Sequence, residues 1–209
     1  KINKILGRDF FRKKINFKTN SSLEAQIASI SDDIAYNSHD LEDGLKSNLF
    51  KLSDLKNIPV LNKIVLKHKK KQKKYSNDII IRQIIRETIN DMVSDVIKTT
   101  KKNLKKNKIS SLNDVYNAKK QIVTFSYKMK KFDNQIKSFL KRKMYFHQKV
   151  YSKTNLGRNI IKKLFIKIRK NPKKFITNIR DNSDLERTIC DYIAGMTDRY
   201  AINLYNKIQ

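Results

Sequence analysis

A single cysteine, Cys190, stands among 209 residues, so no intrachain disulfide can form. Two prolines and four glycines leave few points at which a helix must stop, and no glycine-rich loop of the kind that cradles phosphates is present. Histidine occurs three times, as His39, His68 and His147, and no Ser, His and Asp arrangement suggests a hydrolytic triad. No uninterrupted apolar run reaches about 18 residues, so no membrane-spanning helix and no membrane partner is expected. There is no internal repeat and no signal-peptide pattern, which makes the cytoplasm the expected location. Acidic residues are scarce, 19 against 48 Lys and Arg, for a formal net charge of +29.

A charge of that size ordinarily points to nucleic acid, whose backbone rewards each neutralised phosphate. Two features weaken the inference. Lys outnumbers Arg by 38 to 10, and Ile and Asn are abundant, as a strongly AT-rich coding sequence would produce at tolerant surface positions. Arg, the commoner bidentate reader of phosphates and bases, is not enriched. The charge should still draw polyanions, nucleoside triphosphates included, through a long-range field that salt suppresses.

What is present is helical periodicity. With 39% hydrophobic residues the chain is long enough to bury one sizeable core. Over residues 78–100, Ile81, Ile85, Ile89, Met92 and Val96 fall on one helical stripe, with Ser76 or Asn77 as the cap. Towards the end, Ser183 and Glu186 have capping-box spacing, and Leu185, Ile189, Tyr192, Ile193, Met196, Tyr200 and Leu204 line one face of a last helix. Cys190 lies near that stripe and is expected to be buried. Basic runs at 67–75 and 101–108, and a third at 167–174 with Pro172, are expected to be connections. Residues 1–21 have no clean period and predict an irregular lead-in to a helical part spanning 22–209. No alternating strand pattern of comparable length occurs, so the predicted fold class is all-α.

Against the overall charge, Asp32, Asp33, Asp40, Glu42 and Asp43 fall within twelve residues. A positive partner is expected there, a divalent metal first; a merely solvated helix face is the alternative that periodicity leaves open. Ser21 and Glu24 have capping-box spacing, so a helix should start at Ser22 and run about six turns, uninterrupted before Gly44. Ile27, Ile30, Ile34, Leu41 and Leu45 then share an arc that can face a core. Asp32, Tyr36, His39, Asp40 and Asp43 share the opposite arc, with Asp32, Tyr36 and Asp40 in a row of roughly 12 Å.

The run LEAQIASISDDIAYNSHDLEDGL, from residue 23 to 45, resembles a signature of the bacterial deoxyguanosine triphosphate triphosphohydrolases. YIAGMTDRYA at 192–201 is similar to the signature near their C-terminus. Between them, FSYKMKKFDNQIKSFLKRKMYFHQKV at 125–150, with Met144 to Val150 as its centre, also resembles the family. The resemblance implies an HD-superfamily fold, a multi-helix bundle whose metal is held by an upstream His, an adjacent His-Asp pair and a later Asp. It puts Asp32 at that last aspartate ligand, and Tyr36 and Asp40 where the deoxyribose is held and a ribose excluded. Tyr145 and His147 match a helix approaching the nucleotide from the other side.

His39-Asp40 is an HD dipeptide but is not expected to be the metal motif, because no histidine precedes it. The resemblance therefore implies the C-terminal part of a longer enzyme with three of four metal ligands elsewhere. That part alone is expected to be inactive or nearly so, since one carboxylate cannot hold an ion in a useful geometry. The implied cofactor is a divalent ion, magnesium or manganese, and the implied substrate is dGTP or another dNTP. A homo-oligomer and weak single-stranded DNA binding are further implications of the family. Two other classes stay open: a basic helical nucleic-acid-binding module, and a degenerate HD-type protein kept for assembly or regulation without hydrolysis.

Overall fold

The computed structural model describes residues 19–69, 75–176 and 184–208, and the described residues form helices, short 3-10 and π turns, and no strand. The fold is all-α, as the periodicity predicts. It divides into two compact units, Lys1–Met144 and Tyr145–Gln209. The lead-in expected over 1–21 lies, apart from its last three residues, outside the described residues; so do 70–74 of the first basic run and the expected cap Ser183.

The first unit is built on two long helices. Helix α1, Leu23–Lys46, starts one residue later than its capping-box spacing suggested. Ser22, not Ser21, is the N-cap, and its Oγ accepts the amide of Ala25 at 3.3 Å. A 3-10 turn, Leu52–Asn57, leads into α2, Pro59–Lys69, and α3 runs from Asn77 to Lys106. Helix α1 and α2 both pack on α3, which buries Ile81, Ile85, Met92 and Val96 of the predicted stripe, with Ile80, Ile84 and Thr88 beside them; Ile89 is only half-buried. Short α4, Leu112–Asn117, and α5, Tyr127–Leu140, complete the unit, α5 lying against α1 with Phe132, Ile136, Phe139 and Leu140 buried.

Helix α3 overruns a predicted boundary. Its last turns consist of Lys101, Lys102, Lys105 and Lys106 with Asn103 and Leu104, where a connection was expected. Lysines are good helix formers, and cations near a helix C-terminus interact favourably with its exposed carbonyls. Asn103 adds a tertiary tie, donating Nδ2 to the carbonyl of Ile122 at 2.9 Å. Charge therefore read as loop where it was helix end.

In the second unit, α6, Gln148–Lys170, packs on α7, Leu185–Ala194, and α8, Asp198–Lys207. The third basic run does end a helix: α6 stops at Lys170 and Pro172–Lys174 forms a 3-10 turn. The single last helix expected from the apolar stripe is two helices. Gly195 sits at the C-cap of α7 with its amide on the carbonyl of Asp191, and Thr197 caps α8 by accepting the amide of Tyr200. Most of the stripe nonetheless gathers: Leu185, Ile189, Tyr192, Ile193, Met196 and Leu204 join one apolar cluster with Ile160, Leu164 and Ile168 of α6, whereas Tyr200, expected on the same face, is exposed. Cys190 is exposed rather than buried. Ile189 and Ile193, four residues apart, mark the buried edge of α7, and a step of about 100° from Ile189 turns the thiol outward.

Candidate functional site on the first helix

The acidic cluster lies on the outer face of α1. Asp32, His39 and Asp43 are exposed, Tyr36 is 59% exposed and Asp40 is half-buried. Regular helical geometry sets Asp32, Tyr36 and Asp40 in a row with about 6 Å of rise between neighbours. The expected row is thus present, on one side of one helix.

The opposite face is held by polar groups as well as by Ile34, Leu41 and Leu45. Gln26 is buried, and its Oε1 accepts the amides of Ile122 and Val123 at 2.9 and 3.0 Å while its Nε2 donates to the carbonyl of Ser21. Asn37, also buried, donates Nδ2 to Oδ1 of the fully buried Asp133 on α5 at 3.0 Å. Lys130 and Lys137 reach Oδ2 of Asp133 at 3.0 and 3.2 Å, and Lys137 continues to Oδ2 of Asp33 at 2.9 Å. Burial of Lys137 works against its charge, but hydrogen bonds to Asp33 and Asp133 outweigh it and raise its pKa. With these groups in the buried arc, Ile27 is left 49% exposed and Ile30 half-buried, contrary to the expected core face.

Gln26, Asn37 and Asp133 were not singled out by motif. Gln26 and Asn37 do carry a signal, since on a helical projection they fall within the arc of the expected apolar residues. A polar residue inside an apolar arc has to find a partner when it is buried.

Tyr145 and His147 belong to the second unit. Tyr145 ends a π-helical turn, Lys141–Tyr145, and is half-buried. His147 is the N-cap residue of α6 and accepts the amide of Lys149 on Nδ1 at 3.3 Å. Asp32, Tyr36 and Asp40 are grouped in the first unit; Tyr145 and His147 are near each other in the second.

Among the described residues no group of three or more His, Cys, Asp or Glu is placed to hold an ion. Asp33, the neighbour of Asp32, is paired with Lys137. A cleft of about 940 Å³ opens elsewhere in the first unit, between α2, α3 and the start of α5. Three carboxylates line it: Glu87 is paired with Lys67 and His68, Asp95 accepts the amide and hydroxyl of Ser126, and Asp91 stands beside them.

Residues 123–207 match the family of phosphohydrolase-associated domains. Over 203 residues the chain is 50% identical to a deoxyguanosinetriphosphate triphosphohydrolase-like protein of Pelagibacter ubique, covering 97% of this chain and 55% of the relative. The chain is a homologue of the deoxyguanosinetriphosphate triphosphohydrolase-like proteins. Further homologues are proteins of the same name from Bartonella tribocorum, 34% identical over 90% of this chain and 48% of the relative, and from Rickettsia typhi, 34% identical over 99% and 56%. The chain spans about half the length of these homologues. The family resemblance carried by residues 23–45, 125–150 and 192–201 is thereby established. Among the described residues no helix is long and apolar enough to cross a membrane.

Proposed function

We propose that the chain is part of a phosphohydrolase that converts dGTP, or another dNTP, to deoxynucleoside and intact triphosphate. In that reaction water adds to the α-phosphorus and the 5′-oxygen of the deoxynucleoside leaves with a proton. The observation that carries the reading is the row of Asp32, Tyr36 and Asp40 on an outer helix face whose inner face is fixed by hydrogen bonds. It is supported by homologues named deoxyguanosinetriphosphate triphosphohydrolase-like and by the phosphohydrolase-associated match.

In this reading Asp32 gives one carboxylate to a divalent ion, magnesium or manganese, whose other donors come from outside the described residues. When bound, such an ion supplies a water acidic enough to attack near neutral pH. Tyr36 and Asp40 take the sugar edge, where a phenol and a carboxylate crowd and discriminate a 2′-hydroxyl. Tyr145 and His147 are assigned to nucleotide binding in this reading by family resemblance alone. A homo-oligomer in the cytoplasm completes the proposal, supported by family resemblance.

The test is release of triphosphate from dGTP by the complete gene product with magnesium or manganese. Asp32→Ala is expected to lower it by about a hundredfold or more. Wild-type hydrolysis by that variant would sink the reading. The 209 residues alone are expected to be inactive, because among the described residues no group of three or more His, Cys, Asp or Glu is placed to hold an ion.

A second reading, weak binding of single-stranded DNA, is favoured by the charge of +29 and by α6, which exposes Lys149, Lys153, Arg158, Lys162, Lys163 and Lys167. It predicts oligonucleotide binding that weakens steeply with salt and is unchanged in Asp32→Ala. Salt-insensitive binding would count against it. A protein that hydrolyses no dNTP yet assembles normally would instead match a degenerate HD-type role.

A further inference from the structure

We propose that the buried carboxylate of Asp133, acting with Lys137, is the positioning element that holds α1 in register and so sets how strongly Tyr36 and Asp40 distinguish a deoxyribonucleotide from a ribonucleotide. The inference rests on the sugar-edge role proposed above for Tyr36 and Asp40.

Asp133 is fully buried, and a carboxylate in that position costs free energy unless it is paired and hydrogen-bonded. Stability alone does not call for it, since well-packed apolar residues of similar volume commonly replace buried ion pairs at no loss. What an apolar contact cannot supply is direction. Dispersion and hydrophobic burial tolerate rotation of a helix about its axis, whereas a hydrogen bond weakens steeply once its angle is lost.

The polar contacts are placed to use that directionality. Asp133 accepts from Asn37, the residue after Tyr36, and Lys137 links Asp133 to Asp33, the residue after Asp32. The two ties to α1 are therefore one helical turn apart, and each adjoins a member of the exposed row. Gripped at both points, α1 cannot rotate or slide without breaking one of them. A rotation of about 20° at the helix surface would carry the Tyr36 side chain about 2 Å. Misplacements of that size are enough to cost a substantial part of a site's discrimination.

The experiment compares kcat/KM for dGTP with kcat/KM for GTP in the complete gene product. This ratio is independent of the fraction of enzyme that is folded, so a merely structural role would leave it unmoved. Tyr36→Phe and Asp40→Asn are expected to lower the ratio about tenfold. Asp133→Asn and Lys137→Met are expected to lower it about fivefold, with faster amide hydrogen exchange across residues 33–41 than in the parent chain. Lys137→Met removes a partly exposed side chain and decides the matter if Asp133→Asn does not fold.

If Tyr36→Phe and Asp40→Asn leave the ratio unchanged, the sugar-edge reading fails and this inference with it. If those two lower the ratio while Lys137→Met and Asp133→Asn keep the parental value, the positioning role alone is overturned. Unaltered exchange across α1 in both positioning variants overturns it as well.

Discussion

Nε2 of His68 on α2 lies 2.6 Å from Oε2 of Glu87 on α3, while the other oxygen of the same carboxylate accepts Nζ of Lys67 at 2.7 Å. His68 is only 6% exposed, and its Nδ1 has no hydrogen-bond partner among the described residues. One glutamate thus pairs one of the two nitrogens of a buried imidazole and ties α2 to α3. The hydrogen bond from Lys67 is the largest influence on Glu87; burial opposes it, and the His68 contact adds to it, leaving the carboxyl below its usual pKa.

A depressed carboxyl pKa contributes stability that is complete above the unfolded value, near the ordinary glutamate range, and is lost as pH falls through the lower folded value. Glu87→Gln is therefore expected to lower the melting temperature at pH 7, with the deficit shrinking as both proteins are acidified below about pH 4. Thermal melts across pH 2.5–7.5 check this. A deficit that stays constant with pH would show that Glu87 acts through packing alone. Asp114, held down to about 2 by the amide of Ser110 and the hydroxyl and amide of Ser111, should keep its cap on α4 charged through most of that range.

Gln26→Ala should remove the acceptor shared by the amides of Ile122 and Val123, both buried. An orphaned buried amide costs about 1–3 kcal/mol, so the variant is expected to lose about 2–5 kcal/mol in denaturant unfolding. Gln26→Glu, compared with the parent at a pH low enough to keep the new carboxyl protonated, retains both the acceptor and a donor to the Ser21 carbonyl and should lose clearly less. Equal losses in the two variants would mean that the shared acceptor is not what Gln26 contributes.

Gly44 illustrates a conflict between local preference and packing. Alanine is favoured over glycine inside a helix by about 1 kcal/mol. A Cβ at this position would fall within the ring atoms Cε1 and Cζ of Phe50, which is buried and packed edge-on against Phe139 at 4.9 Å between centroids. Gly44→Ala is expected to destabilise by about 1–3 kcal/mol. In a Phe50→Leu background the same substitution should become neutral or favourable, and a double-mutant cycle measures the reversal. The same cost in both backgrounds would rule out the Phe50 contact as its cause.

Cys190 is exposed, so the native chain should react with a thiol reagent to one equivalent without denaturant. Labelling that appears only on unfolding would place the thiol inside.

Several elements were legible before any coordinates. The start of α1 within a residue, the buried stripe of α3 and the stop of α6 before Pro172 follow from capping chemistry, a 3.6-residue period and a residue that cannot continue a helix. The row of Asp32, Tyr36 and Asp40 followed from the same period, and the family signatures attached a meaning to it. The C-terminal stripe was legible as a face but not as two helices. An apolar period persists across a break that Thr197 makes locally, so hydrophobicity alone could not reveal it.

By itself, then, the sequence determined the helical class, most helix positions, the outward acidic row and the resemblance to the triphosphohydrolase-like proteins, because these depend on short-range spacing and on residue identities. Tertiary structure decided which polar residues go inside and what they hold. Asn37 meets Asp133 and Gln26 meets Ile122 across 96 positions each, and Lys137 meets Asp33 across 104. A period of 3.6 residues says which side a residue occupies; only the packing of α1 against α5 and the loop before it says which distant donor or acceptor waits there.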